Sequence, residues 1–164
     1  TLFRSKTFAT LSPIPGFRSW LNKNMPAMLE KLDERALQEL GRAVGFEPPT
    51  ASHVLAALES SQVLGALSAK SPLRQFLTRA GAHYLGQAKQ GEQVLDPVGR
   101  FHLGNGARIE RINWFADPSA KGLKQSHGLM VNYLYDLKRL DKHRQLLEKG
   151  IAPASGDVED MYFK

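Results

Sequence analysis

A proline-framed segment, residues 12–16, constrains the fold of this chain more than any other feature of its sequence. Pro13 and Pro15 each fix their own φ angle and push the preceding residue toward an extended conformation. Gly16 then permits the left-handed geometry that a sharp change of direction requires. The segment therefore predicts a rigid turn with Ser12 at its mouth. This serine either presents its hydroxyl for chemistry or hydrogen-bonds only to its neighbours within a proline-rich connection.

The residues on both sides of this turn predict different secondary structures. Phe3 and Phe8, set among short polar residues, predict a strand over residues 1–10. Residues 17–32 predict a helix that is interrupted near Pro26, because proline removes a backbone donor inside a helix. The serine therefore lies where a strand gives way to a turn and then to a helix.

Apolar spacing and capping residues predict further helices. One apolar stripe at helical spacing consists of Leu37, Leu40 and Val44. Gly45 ends that helix, and either Thr50 or Ser52 caps the next one. Ser71 caps a longer helix that begins with proline and extends over residues 72–87.

The last third of the chain has a different character. Asp96 predicts the cap of a short helix that runs through Leu103 and ends at Gly104. The remaining elements are a strand over 107–116 with a bulge, a short helix over 120–125, a strand over 129–136 and a charged helix over 136–149. Strands near both ends with helices between them predict a mixed α/β (α+β) fold.

Composition limits the class of protein. A chain of 164 residues is one domain or part of a larger one, and this length can bury roughly 70% of the unfolded surface. It contains no cysteine, which excludes disulfides, thiolate nucleophiles and cysteine zinc sites. No apolar run approaches the ~20 residues that a membrane span requires, so we expect no membrane partner.

The net charge of +6 is compatible with nucleic acid, an acidic membrane surface or a polyanionic small molecule. The densest basic run, residues 138–144, is interrupted by Asp141 and Leu140 and predicts the solvated face of a helix. A nucleic-acid site would combine basic residues with aromatic residues on one element. We therefore expect no nucleic-acid partner.

Several blocks of sequence resemble one known family. The blocks are LSPIPGF at 11–17, PVGRFHLGNGA at 97–107, RINWFAD at 111–117 and SHGLMVNYLYD at 126–136. Together, and in this order, they closely resemble the catalytic domain of malonyl-CoA decarboxylase. The resemblance covers most of the chain, whereas the helical middle carries little identifying sequence.

The resemblance implies a sheet like that of the GNAT acyltransferases, which bind acyl-CoA, with a helical insertion at about 18–95. Members of the family are longer, with a helical N-terminal domain and coenzyme A-binding strands before residues 12–16, called the serine loop below. Residues 1–164 are therefore expected to be the C-terminal part of the catalytic domain, and to bind coenzyme A weakly without the upstream part.

The resemblance also implies an activity, the decarboxylation of malonyl-CoA to acetyl-CoA and CO2. The family's catalytic serine and histidine fall on Ser12 and His102, and Tyr135 matches a position near the acyl group. Ser12 would position the malonyl group or pass on a proton, and His102 would donate the proton that converts the enolate to acetyl-CoA. Tyr135 either contacts the substrate or packs on one face of a strand. No metal and no cofactor are expected, because the thioester itself accepts the electrons.

Physical chemistry adds one expectation about His102. If it lies in the last turn of its helix, the helix dipole favours the protonated imidazole. Without the resemblance, a lone histidine between Phe101 and Leu103 would be read as a core residue. The other four histidines have no metal-ligand spacing and are read as structural or solvated: His53, His83, His127 and His143.

Three further polar residues are read as structural. Asn105 is expected in a turn, Asn132 in a structural hydrogen bond, and Asp117 after the end of a strand.

Two alternative functions remain open. One is a hydrolase that uses Ser12 and His102 on an acyl-CoA thioester, although the chain lacks a Gly-x-Ser-x-Gly elbow and a convincing acid. The other is a non-catalytic basic scaffold fragment that pairs through the leucines of helix 136–149. The expected location is the cytoplasm, since the chain has no cysteine and no C-terminal Ser-Lys-Leu, and a homo-oligomer is the expected assembly.

Overall fold

The computed structural model describes residues 6–164 of the chain. Within them, the strands are β1 Thr7–Ala9, β2 Ser12–Pro13, β3 Lys89–Gln90, β4 Gln93–Val94, β5 Arg108–Asn113 and β6 Met130–Asp136. The helices are α1 Phe17–Glu30, α2 Glu34–Val44, α3 Ala51–Ala57, α4 Ser61–Ala66, α5 Pro72–Gln87, α6 Pro97–Gly104, α7 Ala120–Ser126, α8 Leu140–Glu148 and α9 Gly156–Met161. The prediction of a mixed fold is confirmed. None of these helices is both long enough and apolar enough to cross a membrane.

Strand β6 is the centre of the main sheet, because β1, β2 and β5 all pair with it in antiparallel register. Strands β1 and β2 lie end to end along β6, with Phe8 opposite Tyr135 and Ser12 opposite Val131. The short strands β3 and β4 form a separate hairpin. The serine loop therefore begins on the same sheet as the last strand of the chain.

The two faces of this sheet differ in burial. One face, called the covered face below, carries Ser12, Ile109, Ile112, Val131, Tyr133 and Tyr135. The opposite face, called the open face, carries half-buried or exposed side chains: Pro13, Arg111, Asn113, Met130, Asn132 and Leu134. This is the alternation expected of strands with one face on a core.

The predicted bulge in β5 is confirmed. Its pairing with β6 shifts register between Ile109 and Arg111. The extra residue returns Ile112 to the covered face, where both isoleucines are buried. The strand ends at Asn113, earlier than predicted. The predicted N-terminal strand is confirmed over Thr7–Ala9, whereas Phe3 lies outside the described residues.

Helix α1 runs through Pro26, so the predicted interruption is wrong. Proline leaves the carbonyl four residues earlier without its helical partner. That residue is Asn22, and both Asn22 and Pro26 are exposed. Water can therefore satisfy the free carbonyl, and the helix continues to Glu30.

Two other predicted helix ends are also wrong. Helix α6 includes Gly104, and the left-handed residue is Gly106, at φ +94°, where a Cβ atom would lie 3.0 Å from Leu140. Helix α8 begins at Leu140 instead of residue 136. Asp136 ends strand β6, and its carboxylate accepts a hydrogen bond from the backbone of Lys138, which forms a turn before the helix.

The predicted helix caps are confirmed. Thr50, Ser71 and Asp96 each accept a hydrogen bond from the backbone at the start of their helix. Gly45 ends α2 in the left-handed conformation. The caps at Ser71 and Asp96 fix the starts of α5 and α6, which carry Tyr84 and His102.

Candidate active site

Ser12 lies on the covered face of the sheet and is 5% exposed. Its hydroxyl has two side-chain partners. The Oγ atom is 3.0 Å from Thr10 Oγ1 and 3.4 Å from His102 Nε2. The proline turn predicted from the sequence therefore directs this hydroxyl toward the C-terminal part of the chain.

The turn is also held in place by Tyr84, a buried residue of helix α5. Gly16 lies against the hydroxyl of Tyr84, and a Cβ atom at Gly16 would be 2.7 Å from that oxygen. Tyr84 is buried on α5 and packs its ring near Phe17 and Trp20. Gly16 is at φ −100°, so the predicted left-handed conformation is wrong, and the glycine is instead required because the absence of a side chain allows this close approach.

His102 lies in the last turn of α6, as predicted. Its Nε2 atom faces Ser12, and its Nδ1 atom is 2.5 Å from the hydroxyl oxygen of Tyr135. The imidazole stacks on the ring of Tyr133, with ring centroids 4.7 Å apart. Both ring nitrogens and one ring face are thus engaged by neighbours.

The structure brings together all three residues predicted for the site. They form one chain of side-chain contacts, from Ser12 through His102 to Tyr135. The contact of Tyr135 with the imidazole was not predicted from the sequence.

Three neighbours of these contacting side chains were not predicted from the sequence: Thr10, Tyr133 and Phe8. Thr10 stands two residues before Ser12, a spacing that could have indicated a shared face. The ring of Phe8 stacks on Tyr135 with centroids 4.8 Å apart. Strand alternation already placed Tyr133 beside Tyr135, but no sequence signal indicated that it lies under the histidine.

Asn105 does more than form the predicted turn. It ends helix α6, and its side chain lies close enough to Tyr135 to lower the pKa of that phenol against the larger, raising effect of burial. Asn132 makes the predicted structural hydrogen bonds, donating to the carbonyl of Thr10 and accepting from Asn113. Asp117 accepts from the backbone of Ser119 and begins the turn into α7.

The protonation of His102 differs from the expectation based on the helix dipole. Burial lowers its pKa below the ordinary 6.5, so the imidazole is mainly neutral at neutral pH. Burial also raises the pKa of Tyr135, which keeps its hydroxyl protonated. A neutral imidazole accepts at one nitrogen and donates at the other. The Tyr135 hydroxyl can therefore donate to Nδ1 while Nε2–H donates to Ser12.

No carboxylate within residues 6–164 hydrogen-bonds to the His102 ring, so these residues do not form a Ser-His-acid triad. Nor do three His, Asp or Glu side chains cluster as metal ligands do in this part of the chain. The arrangement is a hydroxyl, an imidazole and a phenol in sequence. These three side chains can hold a small polar group next to Ser12 and transfer a proton to or from it.

The other histidines make structural contacts. His53 completes the cap of α3, and His83 Nδ1 accepts from the backbone of Phe163. His143 Nδ1 is 2.9 Å from the carbonyl oxygen of Gly106. His127 ends α7, and burial lowers its pKa to about 4.

Comparison with known proteins gives matches over nearly the whole chain. The family model described as the malonyl-CoA decarboxylase C-terminal domain matches residues 1–163. The chain belongs to the malonyl-CoA decarboxylase family. It is 39% identical to the malonyl-CoA decarboxylase of Cupriavidus metallidurans, whose crystal structure superposes with a TM-score of 0.81 over 95% of this chain. The enzyme of Rhodopseudomonas palustris gives 36% identity and a TM-score of 0.73 over 96% of this chain.

Curated relatives give the same family. The mitochondrial malonyl-CoA decarboxylase of Mus musculus is 38% identical over 137 residues, which is 80% of this chain. The chain spans 27% of that relative, and 38% and 33% of the two bacterial malonyl-CoA decarboxylases. The resemblance read from the four sequence blocks is confirmed at the level of the family.

Proposed function

We propose that this chain supplies the Ser12–His102–Tyr135 part of an active site that decarboxylates malonyl-CoA to acetyl-CoA and CO2. The observation that carries the proposal is the continuous contact of these side chains, at the positions that the family resemblance selected. Two of them lie 90 residues apart in sequence.

In the proposed reaction, the bond between the α-carbon and the carboxylate of the malonyl group breaks and CO2 leaves. The electron pair moves into the thioester, giving an enolate with its charge on the carbonyl oxygen. A hydroxyl donor at this oxygen stabilises the charge as it develops. Ser12 fills this position, or it holds the malonyl group so that the carboxylate departs in the correct direction.

The enolate carbon then takes up one proton. His102 donates it from Nε2, directly or through the hydroxyl of Ser12, and Tyr135 replaces it at Nδ1. After the product leaves, Nε2 takes a proton from water and Nδ1 returns its proton to the Tyr135 oxygen, which restores the starting tautomer. This relay explains how a neutral His102 can act as the proton donor. The imidazole gains a proton at Nδ1 as it loses one at Nε2, so it stays neutral.

Catalysis without a metal or cofactor is part of the proposal, since the thioester carbonyl accepts the electron pair. Steady-state turnover after exhaustive chelation tests it, with loss of activity and its recovery on adding one metal as the contradicting result. A homo-oligomer, a cytoplasmic location and weak coenzyme A binding by residues 1–164 alone are further proposals. Light scattering, cell fractionation and calorimetric titration test them in that order.

The deciding experiment follows malonyl-CoA with the full-length gene product that contains this chain. Decarboxylation produces acetyl-CoA and CO2 and leaves the thioester intact, whereas a thioesterase releases the free thiol of coenzyme A. Loss of acetyl-CoA formation in both Ser12→Ala and His102→Asn is expected. A free thiol would support the hydrolase, and no reaction of the parent protein would support the scaffold.

A further inference from the structure

Asp96 carries a carboxylate that is fully buried, and the proposed reaction does not use it. One carboxylate oxygen accepts from the backbone N–H of Gly99 at 2.8 Å, and the other accepts from the hydroxyl of Tyr84 at 3.2 Å. The nearby Arg100 directs its guanidinium to the backbone carbonyls of Val94 and Leu95. A buried carboxylate held only by neutral donors is costly, so its place in the fold requires an explanation.

The two hydrogen bonds of Asp96 connect α6, which carries His102, with α5, which contacts the serine loop through Tyr84. Asp96 caps α6, and His102 follows on the same helix, about 9 Å along its axis at 1.5 Å per residue. Tyr84 comes from α5, and its hydroxyl lies against Gly16 at the end of the serine loop. The carboxylate is therefore linked to the histidine by a helix and to the serine loop by one tyrosine.

Tyr133 also connects the first turn of α6 to the imidazole of His102. The hydroxyl of Tyr133 lies over Gly99, where a Cβ atom would be 2.8 Å from the oxygen. The ring of Tyr133 lies under His102, tilted by 24°. The first turn of α6, which Asp96 holds, thus also sets where this tyrosine supports the imidazole.

We propose that Asp96 is a positioning residue, which holds α6 against α5 so that His102 meets Ser12 at the reacting group. This inference rests on the proposed function for its catalytic consequence. It also predicts a geometric consequence that does not depend on activity, because loosening α6 frees the imidazole from its partners.

The test uses variants of the full-length protein. Asp96→Ala removes both hydrogen bonds and should lower kcat by roughly 10–100-fold with little change in KM, the scale of loss from a small misplacement of catalytic groups. Asp96→Asn can still accept from Gly99 and pair with Tyr84, so it should restore kcat to within about threefold of the parent. Tyr84→Phe removes only the link to α5 and should fall between them.

Asp33→Ala is the matched control. Asp33 caps α2 with the same kind of bond, from the Ala36 N–H at 2.8 Å. This variant should leave kcat unchanged. An equal loss of kcat in Asp33→Ala, or an Asp96→Asn enzyme as slow as Asp96→Ala, would overturn the positioning role. So would a normal kcat in Asp96→Ala while Ser12→Ala is inactive.

A second measurement separates this proposal from the proposed function. Diethyl pyrocarbonate acylates neutral imidazoles, and mass spectrometry of the peptide gives the rate at His102. That rate should rise in Asp96→Ala and Tyr84→Phe and stay at the parent value in Asp33→Ala. If the parent protein does not decarboxylate malonyl-CoA, the proposed function fails, and an unchanged rate in Asp96→Ala would overturn the positioning role by itself.

Discussion

The covered and open faces of strand β6 use neighbouring residues for different purposes. Val131 and Tyr133 on the covered face are fully buried, and this face carries the Ser12 hydroxyl and the Tyr135 phenol that meet His102. On the open face, Asn132 and Leu134 are half-buried, and Asn132 ties two strands together. The groups that we propose for catalysis thus lie where packed neighbours fix them, whereas the opposite face holds the backbone in place. Substitutions on the two faces should therefore differ in kind.

The largest effect is expected at Ser12. Ser12→Ala should lower kcat by roughly 10²–10³-fold, the range for removing one donor to a developing oxyanion. Thermal unfolding should change little, because the proline turn stays intact. Ser19→Ala, at an exposed serine of α1, is the control. A near-normal rate of decarboxylation in the Ser12→Ala enzyme would contradict the proposed role of this hydroxyl as a donor to the oxyanion.

Two tyrosines on the covered face allow a matched comparison. Tyr135→Phe removes the hydroxyl at His102 Nδ1 and should lower kcat by about 10–100-fold as the proton relay is lost. Tyr133→Phe keeps the ring under His102 and removes a buried hydroxyl that has no hydrogen-bond partner among the described residues. It should lower kcat much less than Tyr135→Phe, because the ring stays under His102, and it should preserve or raise stability. Equal losses of kcat in the two variants would contradict the proton relay, because only Tyr135 places its hydroxyl at His102 Nδ1.

The pH dependence of kcat tests the protonation of His102. Burial lowers the pKa of this imidazole, so the neutral form that accepts from Tyr135 predominates at neutral pH. As pH falls through a value below 6.5, the imidazole gains a proton and the relay stops. The logarithm of kcat should then fall with a slope of about one per pH unit. An increase of kcat on acidification would instead identify the imidazolium as the donor.

The smallest effect is expected on the open face. Asn132→Ala removes the hydrogen bond to the carbonyl of Thr10, at the junction of β1 and β2. It should cost about 1 kcal/mol of unfolding free energy and lower kcat only a few-fold. Chemical denaturation and initial rates measure both. A loss of kcat as large as that of Ser12→Ala would remove the distinction between the two faces.

Local chemistry made much of this arrangement predictable. The prolines around Ser12, the caps at Ser71 and Asp96, and the alternation along β6 act over a few residues, and each predicted its element. The predictions at Pro26 and His102 failed because each depends on surroundings that the sequence does not state. Asn22 is exposed, so α1 continues past Pro26, and burial lowers the pKa of His102 although it lies at a helix end. The role of Tyr133 also depends on packing between distant segments.

The central place of β6 has a consequence for how the molecule is made. Asn132 hydrogen-bonds to Thr10, 122 residues away in sequence, and β1, β2 and β5 all pair with β6. Closing so long a loop costs conformational entropy before any contact is gained, which slows folding. A ribosome synthesises Ser12 before β6, so β1 and β2 lack this partner strand while the intervening helices emerge. During synthesis this segment is therefore the one most in need of protection from pairing with other chains.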